Sequence, residues 1–115
     1  MARISSVTPA RAGTRNGNRH TAQRWAGFLR ELGHRVSVQV AGNGEPCDLL
    51  LALHARRSHA SVVAYRRRFP DQPLIVVLTG TDLYRDIATD ATAQRSLALA
   101  SRLVVLQADG VRALP

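Results

Sequence analysis

A glycine-containing polar loop near the N-terminus carries the residue types that bind anions. It covers residues 13–19 and follows a short β-branched run. Glycine-rich loops and helix N-termini present backbone N–H groups that bind phosphate oxygens. We predict a phosphate-binding loop here, with an ordinary polar turn as the alternative. Its candidate ligand-binding residues are Gly13, Arg15, Asn16, Gly17, Asn18 and Arg19.

A second polar segment follows the most apolar run of the chain, residues 74–78. It consists of Thr79, Gly80, Thr81 and Asp82. In open α/β sheets, ligands bind outside the carboxyl ends of the strands. We therefore expect this segment to line a ligand cleft. In the alternative interpretation, Gly80 turns the chain and Asp82 caps the next helix.

A third candidate cluster lies where another apolar run, residues 48–54, ends in His54. Arg56 and Arg57 come just beyond it. A histidine at a strand end is often structural, but two neighbouring arginines favour an anionic ligand. Residues 13–19 match neither the dinucleotide-binding nor the P-loop glycine pattern. No spacing of His, Cys, Asp and Glu predicts a metal site.

Five apolar runs alternate with helical segments and must position these candidates. The expected strands cover residues 3–8, 35–40, 48–54, 74–78 and 102–106, and the expected helices residues 19–32, 58–69 and 91–100. This alternation predicts an α/β domain with a doubly wound, five-stranded parallel sheet. The strand order 3-2-1-4-5 would place the ends of strands 1 and 4 side by side. Residues 13–19 and 79–82 would then face each other across one crevice.

The helices carry three more specific predictions. Ala22, Trp25, Ala26, Leu29 and Leu32 form one apolar stripe on the first helix, so Trp25 should be mostly buried. Asn18 and Gly33 are expected to cap that helix. The triplet at residues 66–68 is expected to be a solvated helix end that complements the helix dipole, rather than a phosphate site.

The charge is strongly basic. All 16 basic residues are arginine, and with 8 acidic residues the net charge is +8. Such a balance fits phosphorylated small molecules or nucleic acid. The few aromatic residues do not alternate with the arginines, which argues against a base-stacking platform. The lone Cys47, with no secretory signal and no apolar run of about 20 residues, predicts a cytoplasmic protein without a membrane span.

Several segments together resemble the N-terminal domain of GT-B glycosyltransferases. They are Val7-Thr8-Pro9, residues 17–26 (GNRHTAQRWA), 29–36 (LRELGHRV), 47–58 (CDLLLALHARRS), 78–84 (LTGTDLY) and 102–107 (RLVVLQ). Among these enzymes, the resemblance is greatest to the selenosugar synthases of selenoneine biosynthesis. The segments extend over nearly all 115 residues. The strings at residues 55–58 and 79–84 are the most specific.

The resemblance implies a Rossmann-like domain, residues 1–115, that forms one half of a GT-B fold. It implies a UDP-sugar donor, a small anionic acceptor such as selenophosphate, and no cofactor or metal. His54 and Asp82 would be catalytic, and the other candidates would bind substrate. The second domain, which would hold the nucleotide, has no counterpart in this sequence. We therefore expect either a truncated chain that is inactive alone, or a second domain that is supplied by a separate polypeptide. The alternative is a non-catalytic basic module that binds nucleic acid or a protein.

Overall fold

The fold is described from a computed structural model of the chain. The described residues are 2–8, 17–40, 46–55, 57–78 and 87–105, with only the backbone described at 17–19. The Cα radius of gyration is 13.2 Å, close to the ~13 Å expected for a domain of about 100 residues. Within these residues, no helix is long and apolar enough to cross a bilayer.

Five strands and three helices follow one another along the described chain, and the second and third strands are consecutive in this order. The strands are β1 (Arg3–Val7), β2 (Arg35–Gln39), β3 (Leu49–Leu53), β4 (Leu74–Leu78) and β5 (Arg102–Val105). The helices are α1 (Gly17–Glu31), α2 (His59–Arg68) and α3 (Ala91–Leu99). All four strand pairings are parallel. The predicted α/β class and five-stranded parallel sheet are therefore confirmed.

The strand order differs from the predicted one. The sheet runs β2-β1-β3-β4-β5, so β3 lies between β1 and β4, whereas the order 3-2-1-4-5 placed it beyond β2. Val7 pairs with Ala52 of β3, and Leu53 pairs with Val77 of β4. The ends of β1 and β4 are not neighbours, and the predicted crevice between them is wrong.

The burial of the strands explains this order. In β3, four of the five residues are buried, and residues that point to both faces are covered. In β2, exposed residues alternate with half-buried ones. A strand that is apolar on both faces needs neighbours and helices around it, whereas an alternating strand suits an edge. The central position of β3 follows from this difference.

Two apolar cores lie on opposite faces of the sheet. One contains Val7, Ala52 and Val76 together with Val62 and Tyr65 of α2 and Ala93 of α3. The other contains Leu53, Val77 and Ala22, with Trp25 packed against them. Ala52 and Leu53 belong to different cores because successive strand residues point to opposite faces. Helix α1 therefore covers one face, and α2 and α3 cover the other.

Helix α1 confirms some of the predicted details and corrects others. Gly33 has φ +95°, and the backbone N–H groups of Gly33 and His34 donate to the carbonyls of Arg30 and Leu29 at 3.0 and 3.1 Å. This is the Schellman ending expected of a C′ glycine. The predicted N-cap at Asn18 is wrong, because the helix already includes Gly17. Leu32 follows the helix and is 74% exposed, so it does not extend the stripe.

Trp25 is only partly buried, although its position on the core side of α1 is as predicted. The reason lies in the face that α1 covers. An apolar groove of about 390 Å³ runs between α1 and strands β3 to β5. It is lined by Trp25, Phe28, Leu29, Leu49, Leu51, Ile75 and Val104. Trp25 therefore packs on the sheet with one side and borders this groove with another.

Candidate functional site

The strands β1 and β3 form the switch point of the sheet. They are neighbours, yet the helix that follows β1 packs on one face and the helix that follows β3 packs on the other. In sheets with the order 2-1-3-4-5, ligands bind outside the carboxyl ends of these two strands. The first residues beyond them are Thr8 and His54. The candidate site is therefore at this point.

At the switch point, the backbone N–H groups of Thr8 and His54 bond to the strands on either side of β1 and β3. The Thr8 N–H donates to the Gln39 carbonyl beyond β2 at 2.8 Å, while the His54 N–H donates to the Val77 carbonyl in β4 at 2.9 Å. The last residue pair in the β1–β3 register is Val7 with Ala52. Beyond that pair, Thr8 and His54 are thus bonded to the outer neighbours of β1 and β3.

Thr8 contributes a buried hydroxyl to this edge. Its relative exposure is 0%, and its Oγ1 has no hydrogen-bond partner among the described residues. A buried hydroxyl without a partner costs about 1–3 kcal/mol, so such groups are rare in folded proteins. A ligand oxygen at the switch point would provide the missing bond.

His54 contributes a buried imidazole in an unusual backbone conformation. Its φ is +76° and its relative exposure is 1%. The His54 Nδ1 accepts the Arg57 backbone N–H at 3.1 Å. Because Nδ1 is an acceptor, the neutral ring carries its proton on Nε2 and is a donor at that atom. Non-glycine residues with positive φ occur preferentially at ligand sites.

The start of α2 adds positive charge and a helix N-terminus. The Ser58 hydroxyl donates to the Leu53 carbonyl, and Ser58 makes no side-chain capping bond to α2. The Ser58 N–H donates to the His54 carbonyl at 3.0 Å, which holds the turn together. Arg57 is exposed beside this turn. A helix N-terminus next to a guanidinium group favours anions.

Of the predicted site residues, the structure brings His54 and Arg57 together at one turn. Gly17, Asn18 and Arg19 form the first backbone turn of α1, the helix that follows β1. The remaining candidates lie outside the described residues. They are Gly13, Arg15, Asn16, Arg56, Thr79, Gly80, Thr81 and Asp82.

Thr8 and Ser58 were not predicted as site residues. Both are small hydroxyl residues next to the apolar strands β1 and β3, and that position was the available signal. The tertiary structure adds that the Thr8 hydroxyl lacks a partner among the described residues and that the Ser58 hydroxyl is bonded to Leu53. Thr8 is therefore the stronger ligand candidate of the two.

The fold and the switch point define a doubly wound, Rossmann-like α/β protein. Among the described residues, no group of three or more His, Cys, Asp or Glu side chains could hold a metal ion. Comparison with known protein families finds no match, and comparison with curated protein sequences finds none either.

Proposed function

We propose that this chain is the N-terminal Rossmann-like half of a GT-B-type glycosyltransferase. On this proposal, the carboxyl edge of the sheet receives a UDP-sugar and a small anionic acceptor. The observation that carries the proposal is that Thr8 and His54 directly follow β1 and β3 at the switch point. One offers a buried hydroxyl without a partner among the described residues, and the other a buried imidazole on a strained backbone.

The chemistry to be supported is the transfer of a sugar from a diphosphate to an acceptor. The bond between the anomeric carbon and the diphosphate oxygen breaks, and UDP leaves with the bonding electrons. An acceptor atom, selenium in the case of selenophosphate, forms the new bond to that carbon. Donors and positive charge near the departing oxygens lower the barrier, because negative charge develops there.

The residues at the switch point suit that task. The Thr8 hydroxyl and the His54 Nε2–H can donate hydrogen bonds to ligand oxygens, and Arg57 adds a positive charge. The polar loop at residues 13–19 precedes or begins α1 and completes the anion-binding edge in this proposal. Asp82, with residues 79–81, would line the floor of the cleft. No cofactor is needed for this reaction.

Replacement of Thr8 by valine tests the role of the hydroxyl. Valine has nearly the same shape, so the substitution removes an unpartnered polar group without leaving a cavity. We expect the free energy of unfolding to rise by about 1 kcal/mol. We expect UDP binding, on the order of millimolar for one wall of a cleft, to weaken about five- to tenfold. Urea denaturation and NMR titration with UDP measure the two quantities.

The matched control is Thr89→Val, which makes the same chemical change at an exposed threonine before α3. It should leave UDP binding unchanged. The largest chemical-shift changes on addition of UDP should occur at residues 8, 54 and 57. The proposal fails if UDP causes no shifts there. It also fails if Thr8→Val lowers stability and leaves UDP affinity intact, since the hydroxyl would then have a purely structural role.

A further inference from the structure

A basic groove lies between α2 and α3, the two helices that cover one face of the sheet. It is lined by His59, Val63, Arg66, Arg67, Arg95 and Leu99 and has a volume of about 310 Å³. We propose that this groove binds the phosphate group of a small phosphorylated molecule. This site is separate from the switch point, and its existence does not depend on glycosyl transfer.

The charge of the groove has one sign only. Three arginines and a histidine line it, and no carboxylate is among its described lining residues. On α2, residues 59, 63, 66 and 67 fall on one side of the helix, and residues 95 and 99 face them from α3. Like charges in a concave site raise the local positive potential, which attracts anions and is relieved when one binds.

Arg66 provides a fixed charge at one end of the groove. Its Nε donates to the Leu99 carbonyl at 3.0 Å, and its Nη1 donates to the carbonyls of Pro70 and Gln72, both at 2.9 Å. Its Nη2 donates to Ser101 Oγ at 3.1 Å. These bonds use four of the five guanidinium N–H groups. The charge is thus held in place before any ligand arrives, without a carboxylate in these contacts to neutralise it.

Arg67 and Arg95 provide the donors that remain available. Both are exposed, and neither makes a hydrogen bond or an ion pair within the part of the chain that is described. They come from different helices and line the same groove. A phosphate between them would accept charge-assisted hydrogen bonds from both guanidinium groups, and the planar fork of each group matches the geometry of phosphate oxygens.

His59 is oriented by a buried serine. The Ser96 hydroxyl is 0% exposed, and it donates its one proton to a backbone carbonyl, with Ala55 at 2.6 Å and Thr92 at 3.2 Å as the two acceptors. It therefore accepts from His59 Nδ1, which lies 3.0 Å away. This fixes the ring with a proton on Nδ1, so that Nε2 is the remaining polar atom of the side chain.

The shape of the groove favours a small ligand over a nucleic acid. Its volume is at the low end of the roughly 300–1,000 Å³ typical of small-molecule sites. No aromatic side chain lines it within the described structure, so nucleobases would have no surface to stack on. Val63 and Leu99 supply apolar contacts for the part of the ligand that carries no charge.

The test is an NMR titration with inorganic phosphate, followed by ribose 5-phosphate, on the wild-type chain and two variants. Arg67→Gln and Arg95→Gln each remove one free guanidinium group and leave the Arg66 hydrogen bonds intact. We expect each to weaken phosphate binding about tenfold, as for the loss of a charge-assisted hydrogen bond. Arg35→Gln is the matched control, because it removes the same charge from the distant edge strand β2.

The proposal is supported if phosphate shifts the amides of residues 59, 63, 67 and 95 and the control binds like the wild type. Shifts at residues 8, 54 and 57 would report the switch point instead, so the two sites can succeed or fail separately. The absence of shifts along the groove would overturn the proposal. Equal weakening by Arg35→Gln, or tighter binding of a short DNA duplex at physiological salt, would do the same.

Discussion

At the scale of single residues, His54 is the residue of the candidate site that combines a buried side chain with a positive φ. A non-glycine residue with a positive φ costs on the order of 1–3 kcal/mol, and surrounding contacts must hold it. Here the Arg57 N–H bonds to its ring, the Ser58 N–H bonds to its carbonyl, and its own N–H bonds to Val77. These three bonds keep the strained turn at the end of β3 in one conformation. They also keep the imidazole at the switch point.

The sequence predicted that His54 lies at the end of a strand, but it did not predict the backbone conformation or the hydrogen bonding of this residue. A histidine followed by arginines after an apolar run identified the end of a strand, and the structure confirms that position. The positive φ and the accepting Nδ1 result from the turn into α2, which residue type alone does not specify. The same limit applies to Thr8, because whether a hydroxyl has a partner depends on all of its neighbours.

Tyr65 gives a residue-scale prediction on the dependence of stability on pH. Its hydroxyl donates to the Cys47 carbonyl at 3.1 Å and the side chain is buried. Burial, and then this hydrogen bond, raise the pKa of Tyr65 well above its usual range. The folded state keeps the proton while the unfolded state loses it above about pH 10. This contribution to stability is therefore present below pH 10 and is lost as the pH rises further.

We expect the wild-type chain to be more stable than Tyr65→Phe by about 1 kcal/mol at pH 8, because of the hydrogen bond. The difference should shrink between pH 10 and 11.5, since phenylalanine does not ionise in either state. Urea denaturation of both proteins across this range measures it. A difference that stays constant up to pH 11.5 would show that the folded state does not retain the Tyr65 proton.

At the scale of elements, the end of α2 is held by Arg66. The guanidinium group links the helix to the carbonyls of Pro70 and Gln72 before β4 and to Leu99 and Ser101 between α3 and β5. Ser101 Oγ also accepts the Leu74 N–H at 3.1 Å. The prediction of a solvated helix end fits Arg67 and Arg68, which are exposed, but not Arg66, which is partly buried.

Arg66→Lys tests this link. A lysine keeps the charge but cannot donate to four acceptors from a planar group, so several of these bonds are lost. We expect the free energy of unfolding to fall by about 2–3 kcal/mol. Arg67→Lys is the control and should change it by less than about 0.5 kcal/mol. Equal effects of the two substitutions in urea denaturation would contradict the assigned role of Arg66.

The pattern of strands and helices in the sequence predicts the type of sheet, but the strand order was predicted wrongly. The alternation of strands and helices was enough to predict a parallel sheet. The order depended on which strand is most enclosed, and the five residues of β3, LLLAL, indicate a central strand more strongly than RVSVQ of β2. The prediction relied on the commonest topology instead of this difference. The short connection between β2 and β3 has too few residues for a crossover helix of ordinary length.

At the scale of the whole molecule, the described arginines that contribute to the net charge of +8 are spread over most of the helices and strands. Described arginines occur on β1, β2 and β5 and on all three helices. A nucleic-acid interface needs a continuous basic stripe that can contact many phosphates. The two proposed sites, the switch point and the α2–α3 groove, combine basic residues with other polar groups and suit small anions better.

The last prediction follows from the single-walled shape of the proposed active site. On the proposed function, transfer takes place between two Rossmann-like domains, and this sheet would form one wall. An open wall leaves the diphosphate solvated, so the donors at the switch point cannot act in a water-excluded site. We expect a protein of these 115 residues to bind UDP but not to release UDP from UDP-N-acetylglucosamine, with either selenophosphate or phosphate as acceptor. A coupled UDP-release assay measures this, with a two-domain glycosyltransferase as the positive control. If the 115-residue protein turns over the donor, and if Thr8→Val reduces that turnover, this one domain is sufficient for the chemistry.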